Sequence, residues 1–204
     1  MERKKAIGIM GGTFDPIHYG HLVTAEAVRS EFGLEKVYFV PSGNPPHKDP
    51  KEVSDSQHRY LMTFLSITTN FYFETSPIEI NRPGKSYAYD TVKAFRDNFP
   101  DYDLYFITGA DAIKEILTWH RVEEVLDLCY FVAATRPGYN LDDLKKEELK
   151  VLPPEYLERI LIIEVPAMAI SSTDIKKRVR ERKPIKYLLP EAVEHYIYKK
   201  KLYV

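Results

Sequence analysis

A short apolar run, Ala6 to Met10, is followed by a glycine-containing segment and then by Leu22 to Phe32, where apolar residues recur at helical spacing. This strand, turn and helix unit constrains the fold more than any other feature of the chain. In α/β proteins such a turn binds phosphate, because the backbone approaches the ligand closely and the helix N-terminus carries partial positive charge. The turn contains neither Gly-x-Gly-x-x-Gly nor the Gly-Lys-Ser/Thr of a P-loop, so both of those phosphate motifs are excluded.

Two histidines, His18 and His21, lie three residues apart at the predicted start of this first helix, with Gly20 between them. That spacing places both imidazoles on one face of the first helical turn. Two N–H donors there can stabilise the charge that builds up on a phosphoryl group under attack. We expect both to sit at an accessible helix start rather than in the core.

The rest of the chain alternates between short apolar runs and helical patterns, which favours a Rossmann-like, doubly wound parallel sheet with helices on both faces. Several runs lack polar alternation, as expected of strands covered on both faces. The predicted strands are 5–10, 36–41, 103–108, 129–135 and 160–165, and the predicted helices are 21–32, 56–69, 88–98, 111–117 and 121–127. Residues 141–159 read as an exposed helical excursion, and the tail from Ile170 as helical. No linker divides the chain, so one domain over 1–204 is expected.

The composition fits a compact enzyme, since 44% of the 204 residues are apolar and 13% are aromatic. A formal charge of −1 gives no electrostatic case for nucleic acid or a membrane as a partner. The single cysteine, Cys129, excludes an internal disulfide. No apolar stretch of membrane-spanning length and no secretory signal is present, so a cytoplasmic location is expected.

The segment after the first strand resembles the Gly-x-Phe-x-Pro-x-His-x-Gly-His signature of the nucleotidyltransferase superfamily. The match is complete at its six defined positions, Gly12, Phe14, Pro16, His18, Gly20 and His21. The resemblance implies that both histidines contact nucleotide phosphates and act in catalysis. It also implies that the backbone of Gly11, Gly12, Thr13 and Phe14 approaches the nucleotide.

Two loops extend this resemblance. Pro45-Pro46-His47-Lys48 follows the second predicted strand, where prolines stiffen the loop and Lys48 can reach a phosphate as a point charge. Residues 86–91, Ser-Tyr-Ala-Tyr-Asp-Thr, are similar to a Ser-Tyr-Thr-x-Asp-Thr segment of bacterial nicotinate-mononucleotide adenylyltransferases, which lines the pyridine pocket. Tyr87 and Ala88 are therefore candidate mononucleotide contacts, although Ala88 replaces the usual threonine. Read without the resemblance, the segment is a turn into a helix, with Ser86 or Asp90 as a cap.

A further strand ends in Gly109-Ala110-Asp111, a natural edge for a nucleotide in an α/β sheet. Gly109 and Asp111 are candidate ATP contacts. Trp119 lies between polar neighbours outside any apolar run, which makes it a candidate platform for stacking on a pyridine. The family has a similar tryptophan that stacks on the nicotinate ring, and Arg136-Pro137-Gly138 closes the next strand as in those enzymes, which makes Arg136 a mononucleotide contact.

The last motif, residues 170–178, resembles the superfamily's second signature, Ile-Ser-Ser-Thr-x-Ile-Arg, but has Lys176 where the arginine stands. Lysine keeps the charge and loses the bidentate fork. The candidate phosphate contacts are Ile170, Ser171, Ser172, Lys176 and, as an imperfect substitute for the arginine, Arg178. Read alone, Ser171 and Asp174 form a capping-box-like start to a basic helix, which would need no ligand.

Together these motifs, which run from residue 5 to about residue 200, resemble bacterial nicotinate-nucleotide adenylyltransferases. The resemblance implies an enzyme of NAD biosynthesis that joins ATP and nicotinate mononucleotide and releases pyrophosphate. Because no carboxylate cluster suggests a metal site in the protein, Mg²⁺ is expected to bind to the ATP phosphates and enter the site with them. Two alternatives stay open: another adenylyl- or cytidylyltransferase, notably the phosphopantetheine enzyme, and a non-catalytic nucleotide-binding protein on the same fold.

Overall fold

A computed structural model describes residues 4–109, 116–135, 152–166 and 169–204. Its strands form a single six-stranded sheet in the order β3-β2-β1-β4-β5-β6, and all neighbouring pairs are parallel. The strands are β1 (Ala6–Gly12), β2 (Lys36–Pro41), β3 (Phe73–Thr75), β4 (Asp103–Gly109), β5 (Tyr130–Thr135) and β6 (Ile160–Glu164). This is the strand order of a Rossmann-like fold, with a topological switch between β1 and β4. The predicted fold class is confirmed.

Seven α-helices among the described residues connect or follow these strands. They are α1 (Tyr19–Phe32), α2 (Ser56–Ile67), α3 (Ala88–Asn98), α4 (Val122–Leu128), α5 (Pro154–Leu157), α6 (Ser172–Arg180) and α7 (Glu191–Lys199), with short 3₁₀ turns at Pro50–Glu52 and Ile116–Thr118. None of the helices in the described ranges is long and apolar enough to cross a membrane.

Each face of the sheet has its own hydrophobic core, because successive strand residues point to opposite faces. Ala6 and Met10 of β1 belong to the core that also contains apolar residues of α1, α2, α6 and α7. Ile7 and Ile9 belong to the other core, with residues of α3 and α4. Helices thus cover both faces, which explains why the central strands lack polar alternation.

The first strand is longer than predicted. Gly11 and Gly12 are still part of β1, paired with Val40 and Pro41 of β2, so they do not form the turn themselves. The residue with the left-handed backbone in the turn is Phe14, at φ 49°. Helix α1 then begins at Tyr19, two residues before the predicted start.

Other differences lie at the edges of the fold. Strand β3 was not predicted, because it has only three residues and only Phe73 among them is buried. The predicted helical tail is two helices, α6 and α7, separated by residues 181–190. Most of the predicted helix 111–117 and of the excursion 141–159 lies outside the described residues. The single domain over 1–204 stays a prediction.

Candidate active site

A cavity of about 420 Å³ lies at the carboxyl ends of β1, β2 and β4. This is the edge of the sheet beside the switch between β1 and β4, where open α/β sheets bind ligands. Its wall combines the end of β1, the loop after β2, the approach to α3, the end of β4 and the turn before α4. The lining residues are Gly11, Gly12, Thr13, Ser42, Pro46, His47, Glu79, Ser86, Tyr87, Ala88, Phe106, Thr108, Thr118, Trp119 and His120.

The two predicted histidines are brought together beside this cavity. The rings of His18 and His21 stack with centroids 3.8 Å apart, as their shared helical face predicts. The backbone N–H of His18 donates to Nδ1 of His21 at 3.2 Å. Because Nδ1 of a neutral His21 is therefore an acceptor, its proton is on Nε2. The ring of Phe14 stands edge-on to His21 at 5.1 Å. A Cβ on Gly12, in the cavity wall, would lie 2.9 Å from that same Phe14 ring.

Burial decides the charge state of this pair. The expectation that both histidines lie at an accessible helix start is wrong for His18, which is only 6% exposed. Burial lowers the pKa of His18 to about 4. It also lowers the pKa of His21 well below the usual value, with smaller contributions from the charges of His18 and Lys48. At neutral pH both rings are therefore uncharged hydrogen-bond donors rather than cations.

The glycine between the histidines has a packing role. A Cβ on Gly20 would lie 3.0 Å from ring atoms of His18 and 3.9 Å from the carbonyl oxygen of Ile170. A side chain there would require the His18 imidazole to shift by a few tenths of an ångström. The same contact places Ile170, just before α6, beside the start of α1. Nδ1 of His18 has no hydrogen-bond partner within the described residues.

The start of α6 is fixed against the turn after β1. Ser172 donates from its hydroxyl to the carbonyl of Pro16 at 2.8 Å. Ser171 accepts the backbone N–H of Asp174 at 3.1 Å, so the capping interpretation of this motif is correct for Ser171. Arg178 pairs with Asp174 at 2.7 Å and does not join Lys176.

Asp15 is a residue of the candidate site that the sequence analysis missed. Its carboxylate is buried and accepts hydrogen bonds from Tyr203 Oη at 2.7 Å, Lys176 Nζ at 3.0 Å and the backbone N–H of Ser54 at 3.3 Å. Burial raises the pKa of Asp15, but these three donors and the charge of Lys176 outweigh it, so the net pKa is lowered. Lys176, the candidate phosphate ligand, is thus held against a carboxylate next to the histidine turn.

Lys48 lies close enough to share the electrostatics of this region. Burial lowers its pKa, and the charge of Lys176 lowers it further, while Asp15 raises it. Lys48 thus lies within electrostatic range of Lys176 and Asp15, and its charge also lowers the pKa of His21. We call His18, His21, Lys48, Lys176 and the start of α6 the histidine end of the site.

Arg59, on α2, connects the loops of the site. Arg59 is 1% exposed. It donates to three backbone carbonyls, those of Ser54 at 2.9 Å, Thr13 at 2.8 Å and Gly43 at 3.2 Å. A buried cation with its donors satisfied in this way fixes the ends of β1 and β2 relative to α2.

Three of the candidate mononucleotide residues, Tyr87, Ala88 and Trp119, lie together in the cavity wall. With the neighbouring lining residue His120 they form what we call the aromatic end. The Trp119 ring packs edge-on against Phe106 at 5.7 Å and Phe131 at 5.5 Å, while part of it stays exposed to the cavity. The Tyr87 and His120 rings lie 4.7 Å apart. A half-buried indole held by two core rings is a rigid surface for a flat ligand.

A buried acid, Glu79, supports the approach to this end and was also missed. Its Oε1 accepts the hydroxyl of Thr91 at 2.6 Å. Burial raises the pKa of Glu79, and hydrogen bonds from Thr91 and Ser86 oppose that rise. The Ser86 hydroxyl accepts the N–H groups of Gly43 at 3.0 Å and Asn44 at 3.1 Å, so it joins the loop after β2 to the aromatic end instead of capping α3. A Cβ on Gly43 would overlap the Glu79 carbonyl.

The remaining predicted contacts are at the end of β4 and beyond. Gly109 is the exposed last residue of β4, and the position of its missing Cβ is open. Asp111 and Arg136 lie outside the described residues. Within the ranges that are described, no three His, Cys, Asp or Glu side chains are grouped to hold a metal ion.

Comparisons with known proteins identify the family of this chain. The cytidylyltransferase-like family model matches residues 9–178. A relative from Moorella thermoacetica, named "probable nicotinate-nucleotide adenylyltransferase", is 61% identical over 98% of this chain and 93% of its own length. The chain belongs to the nicotinate-nucleotide adenylyltransferases. Another relative of the same name, from Thermoanaerobacter sp. (strain X514), is 59% identical over 100% of this chain and 96% of its own.

Solved structures of this enzyme family share the fold. Two structures of the Plasmodium falciparum nicotinic acid mononucleotide adenylyltransferase, complexed with APC or with NaAD, match with TM-scores of 0.74 and 0.75. Both are 22% identical in sequence and cover 98% of this chain and 97% of theirs. The family and enzyme class predicted from the sequence motifs are confirmed by the relatives from Moorella thermoacetica and Thermoanaerobacter sp..

Proposed function

We propose that this nicotinate-nucleotide adenylyltransferase joins ATP to nicotinate mononucleotide across the cavity between the two ends of the site. A 5′-phosphate oxygen of the mononucleotide attacks the α-phosphorus of ATP, and a new P–O–P bond forms. The bond from the α-phosphorus to the bridging oxygen breaks, and pyrophosphate leaves, which gives the deamido dinucleotide. The observation that carries this proposal is the stacked, neutral histidine pair at the start of α1, next to an aromatic-walled cavity.

The chemistry needs positioning and charge stabilisation more than proton transfer. A phosphate monoester oxygen is already anionic near neutral pH, so no general base is required. We assign the catalytic role to His18 and His21. The Nε2–H of His21, oriented by the bond at Nδ1, donates to the α-phosphoryl oxygens as charge develops there. Because both imidazoles are neutral, they can donate hydrogen bonds to the phosphate without the cost of keeping a cation away from water.

The triphosphate lies at the histidine end in this proposal. Lys48 and Lys176 neutralise its charge, and the backbone of 170–172 offers N–H groups at the start of α6. The end of β1, Gly11 to Phe14, permits close approach of the nucleotide. Gly109 and Asp111, at and after the end of β4, are assigned to contacts with ATP. Arg178, which is paired with Asp174, is assigned a secondary electrostatic role only.

The mononucleotide lies at the aromatic end. Its pyridine stacks on Trp119, and backbone N–H groups near Tyr87 and Ala88 receive its carboxylate. Arg136 is assigned to the same substrate. Ala88 has no hydroxyl, so selection there depends on the main chain rather than on a side-chain contact.

The reaction uses a divalent cation, which we propose is Mg²⁺ on the ATP phosphates. Asp15, the acid beside the histidines, is already bonded to Lys176, Tyr203 and Ser54, so it is not a free ligand. The ion prefers phosphate oxygens and water in octahedral geometry. The location expected from the sequence, the cytoplasm, stays a prediction.

One assay tests the proposal. The purified chain is incubated with ATP and Mg²⁺ and, in turn, with nicotinate mononucleotide, nicotinamide mononucleotide and phosphopantetheine, and pyrophosphate is measured. Fast release with nicotinate mononucleotide is expected, together with the deamido dinucleotide as product. Release only with phosphopantetheine, or more efficient turnover with CTP than with ATP, would assign the chain to another transferase. No release with any acceptor would favour a non-catalytic nucleotide-binding protein.

A further inference from the structure

Tyr203 follows α7, far along the chain from the histidine turn, yet its hydroxyl lies inside the histidine end. It donates a 2.7 Å hydrogen bond to Oδ1 of Asp15, across 188 positions of sequence. The Asp15 side chain is 2% exposed, so water cannot easily replace Tyr203 as the donor to its carboxylate. A buried carboxylate oxygen that lost this donor would have to be satisfied elsewhere or move.

The other oxygen of Asp15 holds Lys176. Lys176 Nζ donates to Asp15 Oδ2 at 3.0 Å and to the carbonyl of Glu52 at 3.2 Å. An ammonium group has three N–H donors, so one remains for a ligand beyond these two described contacts. Two fixed bonds determine where that third N–H points. The orientation of Lys176 therefore depends on the rotamer of Asp15.

Tyr203 controls Lys176 by two routes. Its hydroxyl fixes Asp15, and its ring centroid lies 5.9 Å from Lys176 Nζ, within range of a weak cation–π contact. We infer that Tyr203 is a positioning residue of the ATP site, which aims Lys176 at the triphosphate through Asp15. This inference rests on the proposed role of Lys176. It gives the segment after α7 a function in ATP binding that neither signature motif contains.

The conservative variant Tyr203→Phe keeps the ring and removes the hydroxyl. The KM for ATP should rise about fivefold, the size expected when one hydrogen bond to a charged group is lost indirectly. The kcat and the KM for nicotinate mononucleotide should stay within about twofold, because the histidines and the aromatic end are untouched. Tyr198→Phe is the matched control, since Tyr198 lies half exposed on α7 and is not part of the site.

A double-mutant cycle separates positioning from a structural role. If Tyr203 acts through Lys176, Tyr203→Phe should have no further effect on ATP affinity in a Lys176→Ala background. Additive losses, or a Tyr203→Phe variant with wild-type ATP affinity, would overturn the inference. Asp15→Asn provides a second cycle, in which Tyr203→Phe should again add nothing. If Tyr203→Phe folds poorly, Asp15→Asn is combined with Lys176→Ala instead: the single variant should weaken ATP binding, and it should add nothing in the Lys176→Ala background.

ATP affinity should also be measured by calorimetry without any acceptor. That titration keeps this inference separate from the proposed function. A wild-type chain that binds ATP but forms no dinucleotide would contradict the reaction, while the cycle between Tyr203 and Lys176 would still be measurable.

Discussion

The histidine end and the aromatic end of the site are built in different ways. At the histidine end, two imidazoles only three residues apart are stacked and oriented by each other. At the aromatic end, Tyr87 and Trp119 come from separate loops and remain half exposed to the cavity. The groups assigned to chemistry are thus preorganised in the empty protein, where they need no rearrangement when charge develops. The groups assigned to substrate selection are instead partly exposed and become fully buried only when a ligand packs against them.

The largest effect is expected from His21→Ala, which tests the histidine end alone. Removing one oriented transition-state donor should lower kcat by roughly 10²–10³. The KM for both substrates should change little, because the lysines and the aromatic wall remain. Steady-state kinetics at saturating substrates measures this, with thermal unfolding as the check on folding. Near wild-type turnover of His21→Ala would contradict the assignment of catalysis to the histidine end.

The burial of His18 predicts a pH dependence of stability. Its pKa falls from 6.5 to about 4 on folding, so the unfolded chain binds a proton that the folded chain does not in that range. The unfolding free energy should therefore fall by on the order of 2 kcal/mol from this group between about pH 7.5 and 5. His18 is the N-cap residue of α1, so His18→Asn places a preferred N-cap residue there without a titratable ring and should show a shallower fall. Urea unfolding of both proteins at pH 7.5, 6 and 5 compares the slopes, and identical slopes would mean that His18 is accessible after all.

At the aromatic end, Trp119→Ala should raise the KM for nicotinate mononucleotide by about tenfold, because stacking on an aromatic side chain is worth about 1–3 kcal/mol per base. The KM for ATP should stay near the wild-type value. Trp119→Phe is the matched control and should retain most of the affinity. An equal rise in both KM values would indicate that the tryptophan supports the whole site through Phe106 and Phe131 instead of one substrate.

The smallest effect is expected at Ser86, which connects the two ends. Ser86→Ala removes the acceptor of the Gly43 and Asn44 N–H groups and so loosens the loop that carries Lys48. Both KM values should rise by about threefold, because the two lost hydrogen bonds are neutral and lie outside the substrate contacts, while kcat changes less. Substrate titrations of the variant test this. A rise for one substrate only would place Ser86 in one end rather than between them.

Much of this fold was predictable from the chain. The runs at Ala6–Met10 and 36–41 are apolar enough to identify central parallel strands, and the histidine spacing correctly predicts a shared helical face. Boundaries were less accurate, because glycines such as Gly11 and Gly12 are equally compatible with a turn and with the end of a strand. Strand β3 was missed because three residues carry no usable periodicity.

The supporting network of the site was not predictable in the same way. Asp15, Glu79 and Tyr203 are ordinary polar residues in the sequence, and their roles depend on contacts that only the folded chain makes. The bond between Tyr203 and Asp15 spans nearly the whole sequence, so no local pattern encodes it. The burial of His18, which is 6% exposed, was likewise not predictable, because it depends on tertiary packing around the start of α1 and not on a local sequence pattern.

The most direct test of the two-ended site is the preference for nicotinate over nicotinamide mononucleotide in wild type and in His21→Ala. An amide in place of the carboxylate leaves backbone donors at the aromatic end unpaired, at about 1–3 kcal/mol per group, so wild type should strongly prefer the acid. In His21→Ala, kcat/KM should fall by the same factor for both mononucleotides, and their ratio should stay unchanged. Equal wild-type values for the two substrates, or a ratio that shifts in His21→Ala, would contradict the separation of catalysis from selection.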